Sequence, residues 1–76
     1  MKRDVRILIY PSGGAYVAEC GDLNIVTQGI SLDEAINNAR EAVALALEGE
    51  DPADYGLVPD PGLVITLDLG PLSRAG

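Results

Sequence analysis

Ser31 and Gly49 bracket the one stretch of this chain with a helical period, and that bracket constrains what can lie on either side of it. The Ser31 hydroxyl can accept an N–H from the first turn while Glu34, three residues on, reaches back, the reciprocal pairing of a capping box. Leu32, Ala35, Ile36, Ala39, Val43, Ala46 and Leu47 then recur at three- and four-residue steps as one apolar stripe, with Asp33, Asn37, Arg40, Glu41 and Glu48 turned elsewhere. Gly49 is placed to end the helix. The small alanines on the stripe suit a helix lying close against a sheet.

The flanking segments have the two-residue period of strands. Residues 3–10 put Val5, Ile7 and Ile9 on one face and Arg6, Leu8 and Tyr10 on the other. Pro11-Ser12-Gly13-Gly14 supplies hairpin chemistry, and residues 15–20 return with Tyr16, Ala18 and Cys20 opposite Ala15, Val17 and Glu19. Gly21-Asp22 breaks that strand, residues 24–28 make a third, and Gly29 closes it. After the helix, residues 50–61 are acidic and proline-rich and read as an exposed loop. Residues 63–69 alternate as a last strand, with a frayed tail expected from Gly70. The expected fold is α+β, one domain over residues 1–76 in the order β-β-β-α-β, an antiparallel sheet with one helix packed on one face.

A chain of 76 residues supports only a modest core, which small domains commonly supplement with disulfides, a metal or oligomerisation. The single cysteine, Cys20, forms no internal bridge, and with no histidine there is no zinc-binding set. A homo-oligomer is therefore expected. A hydrophobic content of 47% is too high for a disordered chain, and no apolar run approaches the roughly 20 residues of a membrane span. Met1-Lys2-Arg3-Asp4 leads into a β-like run rather than a signal-peptide core, which points to a cytoplasmic protein. A net charge of −7, with Lys2, Arg3 and Arg6 at the start and only Arg40 and Arg74 thereafter, argues against direct nucleic-acid binding. It suits a positively charged protein partner, although acidity also serves solubility.

Catalytic chemistry finds little foothold. Without histidine, a Ser-His or Cys-His nucleophile is impossible, and Cys20, beside Tyr16 and Ala18 on one strand face, reads as a small core residue. Asp4, Glu19, Asp22 and Asp68 are the carboxylates that could in principle gather metal ions for a weak nuclease. Their positions at strand ends and in a turn instead suit caps or solvent. Gly13-Gly14 is followed neither by Lys-Ser/Thr nor by a helix, so a phosphate cradle is not indicated. No catalytic residue, cofactor or metal is expected.

The order of motifs from Val17 to Leu47 resembles the N-terminal domain of the HicB antitoxin family. An Asp-Leu turn, Asp22-Leu23, leads into Thr27-Gln28-Gly29. Then comes the helix start Ser31-Leu32-Asp33-Glu34-Ala35, followed by Asn38-Ala39 and Glu41-Ala42. Gly14-Ala15-Tyr16 stands loosely for the family's Gly-Gly-Tyr, and Asn24-Ile25-Val26 replaces its usual Pro-Gly-Cys. The resemblance implies a partial ribonuclease H-like fold that neutralises a small basic HicA-type mRNA-cleaving toxin by covering its active surface. Asp33, Glu34, Glu41, Glu50, Asp51 and Asp54 are the electrostatic candidates for that contact. Leu8, Tyr10 and Val64, on the second sheet face, are the candidates for self-association. With only seven residues after Leu69, no C-terminal DNA-binding domain is expected, so an orphan member without a toxin is the alternative.

Overall fold

The computed structural model describes residues 1–71. These form β1 (Lys2–Ser12), β2 (Ala15–Cys20), β3 (Ile25–Gly29), α1 (Leu32–Leu47), a 3-10 turn (Pro52–Tyr55) and β4 (Leu57–Leu67). The fold is α+β, with a four-stranded mixed sheet ordered β3-β2-β1-β4. The expected frayed tail beyond Pro71 lies outside the described residues.

Local chemistry accounts for the meander. Gly13 and Gly14, with φ of 57° and 82°, make the two-residue turn between β1 and β2, since a primed hairpin turn needs positive φ at both central positions. The second turn returns the chain through Asn24, φ 54°, a residue type that tolerates the left-handed region. Register then sets Leu8 opposite Glu19, Tyr10 opposite Val17, and Glu19 opposite Val26.

The sheet is not antiparallel throughout. β4 lies beside β1 and runs parallel to it, with Ile7 opposite Ile65. Alternating apolar residues give the face a strand presents but not its direction. The direction follows from the connection: β3 runs with β1, and α1 carries the chain over the sheet, so β4 re-enters in the same sense on the far edge. The segment expected to be a loop is also more ordered. Asp51 caps the 3-10 turn by accepting from the Ala53 N–H at 3.0 Å, and Gly56 closes it at φ 72°. β4 then starts at Leu57, six residues earlier than the alternation suggested, and ends at Leu67, leaving Leu69 exposed. Val58 to Pro61 bulge out between the Lys2–Leu57 and Asp4–Gly62 pairs, with Asp60 at φ 53°.

The core is thin, as an aliphatic sequence dictates. Val5, Ile7 and Ile9 of β1, Ala18 and Cys20 of β2, and Leu57 of β4 are buried under Ala39 and Val43 of α1. Tyr16, Ile25, Leu32, Ile36 and Leu47 close its margins. The opposite face carries Arg6, Leu8, Tyr10, Val17, Glu19, Val26, Gln28, Val64 and Thr66, and none of the described elements packs on it.

Candidate functional site: an acidic helix side and an uncovered sheet face

The residues of the Asp-Leu, Thr-Gln-Gly and Ser-x-x-Glu-Ala motifs meet where the meander hands over to the helix. Ser31 Oγ accepts the Glu34 N–H at 3.1 Å while Glu34 Oε1 accepts the Ile30 N–H at 3.1 Å, so two of the helix's orphan donors are satisfied. Ala35 is buried directly over Gly29. A Cβ at Gly29 would lie 2.8 Å from the Glu34 carbonyl carbon and closer still to the Ala35 nitrogen, so only glycine allows this approach. Asn38 adds a latch, its side-chain amide donating to the Gln28 carbonyl at 2.8 Å. Thr27 and Leu23 lie half-buried on the core side.

Asp22 completes the junction from the other end. β2 stops at Cys20, which leaves the Arg6 N–H of β1 without a ladder partner; one Asp22 carboxylate oxygen accepts it at 3.2 Å. The other accepts Lys2 Nζ at 2.6 Å. The Lys2 ammonium, and then the Arg6 N–H, hold the Asp22 carboxyl below the ordinary aspartate range. Asp22, Gly29, Ser31, Glu34, Ala35 and Asn38 thus each have a place in the scaffold, while the Gln28 and Asp33 side chains are exposed.

The carboxylates weighed as metal ligands go separate ways. Asp4 lies against Gly62, Glu19 accepts the Tyr10 hydroxyl, and Asp68 accepts the Gly70 N–H at 2.9 Å. Among the described residues no three His, Cys, Asp or Glu side chains are grouped to hold an ion. Cys20 is a buried free thiol. Among those residues, too, no helix is long and apolar enough to cross a membrane.

Charge is divided by the fold. Residues 1–29 carry three cations and three carboxylates, whereas residues 30–60 carry eight carboxylates against Arg40 alone, so the whole net charge sits on the helix, the 3-10 turn and the β4 bulge. Of the expected contact residues, Glu34 is engaged in the capping box, Asp51 caps the 3-10 turn, and Glu50 accepts the Tyr55 hydroxyl at 3.1 Å, which raises the Tyr55 pKa. Asp33 and Glu41 stand on the solvent side of α1, and Asp54 is exposed on the 3-10 turn. Glu48, Glu50 and Asp51 crowd the C-terminal end of α1, whose last turn has no basic residue. That arrangement opposes the helix dipole and costs stability.

Two features of this side escaped the sequence reading. Leu45 is 69% exposed on α1, one turn from Glu41 and three residues from Glu48; Ile30 is 80% exposed just before the helix. Leu45 falls off the apolar stripe, and that lapse in the period was the available signal; Ile30 lies before the N-cap, where no helical period applies.

On the other face, Leu8, Tyr10 and Val64 do lie together, with Leu8 between Glu19 of β2 and Thr66 of β4. The Tyr10 hydroxyl donates to Glu19, which keeps the phenol proton bound above the usual tyrosine range. Comparison with family models, characterised proteins and solved structures finds no match to this chain.

Proposed function

We propose that this protein is a HicB-like antitoxin-type binding protein, which neutralises a small basic HicA-type mRNA-cleaving toxin by protein–protein contact. Its fold would then be the family's partial ribonuclease H-like domain, acting in the cytoplasm. The observation that carries the reading is the sidedness of charge: seven net negative charges gathered on the helix side, including carboxylates at a helix end where they weaken the helix. A basic partner relieves that repulsion and gains from the same field during encounter. Leu45, exposed amid Glu41 and Glu48, adds apolar surface that such a contact would bury.

The test is co-expression with a HicA-type protein, or with any small basic protein encoded beside it. The two proteins should co-purify and the toxin's RNA cleavage should stop. The double variant Glu41→Lys/Glu48→Lys should weaken the complex at least tenfold. It should also raise the melting temperature slightly, because Glu48→Lys complements the helix dipole by about 0.3–1 kcal/mol. Failure to recover such a partner, with RNA cleavage unaffected, contradicts the proposal.

A second reading, an orphan HicB-like protein that self-associates without a toxin, draws on a different observation: the apolar sheet face that nothing in the described chain covers.

A further inference from the structure

The rows of the uncovered face follow from register. Val26, Glu19, Leu8 and Thr66 lie side by side across β3, β2, β1 and β4. Gln28, Val17 and Tyr10 form the row above, and Arg6 and Val64 the row below. Val17, Leu8 and Val64 thus make an apolar diagonal through the middle, and Leu8 and Val26 are 39% and 72% exposed. Arg6 and Glu19 flank Leu8 on adjacent strands with opposite charge.

We infer that this face binds a second copy of the same chain as a two-fold sandwich, Arg6 of each protomer meeting Glu19 of the other across a core of Leu8, Val17 and Val64. The inference rests on the self-association reading and not on the toxin.

Three observations select a second copy as occupant. An isologous interface must be complementary to itself, and a face with one exposed arginine and one exposed glutamate beside its apolar centre meets that condition. The helix side cannot do this, because two copies would bring seven net negative charges against seven. The size is also adequate. Four strands about 4.8 Å apart and six residues long at about 3.3 Å each span roughly 20 Å on a side, on the order of 400 Å² in projection. With side-chain relief, two such faces bury on the order of 1,000 Å² in total, the lower bound for a specific interface. A dyad that exchanges Arg6 and Glu19 passes near Leu8 and crosses the sheets at a steep angle, in the range of orthogonal sheet packing. Both acidic helices then point outward.

Sedimentation equilibrium of the full chain at high micromolar concentration tests the inference. Wild type should run at twice the 7.9 kDa protomer mass. Arg6→Glu and Glu19→Arg should each weaken dimerisation at least tenfold, the double swap Arg6→Glu/Glu19→Arg should restore it, and Leu8→Glu should abolish it, all with wild-type circular dichroism. A monomeric wild type, a Leu8→Glu variant that still dimerises, or a folded double swap that stays monomeric overturns the inference. None of these results bears on binding to a basic partner.

Discussion

Asp22 does at the level of one side chain what a longer β2 would have done with backbone. Its carboxylate pairs with Lys2 and takes the Arg6 N–H where the ladder ends, and with its side chain only 10% exposed both bonds are shielded at the aspartate. Because the folded pKa lies below the unfolded value of about 3.9, the stabilisation is complete above that value and is lost as pH falls through the folded pKa. Asp22→Asn should therefore cost about 1 kcal/mol at neutral pH, and the gap between variant and wild type in urea melts should close in acid below about pH 4. A gap unchanged across that range would contradict this role. From the sequence Asp22 was visible as a motif residue and strand breaker. Its bond to Arg6 was not, since the pairing depends on where β2 stops relative to β1.

At the scale of elements, the β3–α1 junction brings backbone against backbone at Gly29. Its glycine is fixed by backbone rather than by a side chain that could move aside. Gly29→Ala should destabilise by about 1–3 kcal/mol, the usual range for overpacking, and Gly21→Ala, where an added Cβ meets nothing within 4 Å, serves as the control in the same melts. Equal effects at both positions would contradict a close backbone approach specific to Gly29. The helix, its capping box and the hairpin were legible in the sequence because each is specified by near neighbours: Ser31 with Glu34, Gly13 with Gly14. The parallel placement of β4 and its start at Leu57 were not. Pro59 and Pro61 read as loop punctuation, and only the Lys2–Leu57 pairing, more than fifty residues apart in the chain, makes Leu57 a buried strand residue. Among the expected contact residues, the Glu34 capping bond was legible, whereas the bonds of Glu50 to Tyr55 and of Asp51 to Ala53 became apparent only in three dimensions.

For the whole molecule, composition reveals the charge but not its side. The fold sorts it, leaving a balanced sheet face with Leu8 at its centre and an acidic helix side with Leu45 exposed upon it. The two surfaces lie on opposite sides of a single thin core, so one can be occupied without obstructing the other. Amide NMR shift mapping during titration with the small basic partner tests that division most directly. Asp33, Glu41, Leu45 and Glu48 should move while Leu8, Tyr10 and Val64 stay put. Shifts confined to the sheet face, with the helix residues unmoved, would overturn the assignment of the acidic side to the partner.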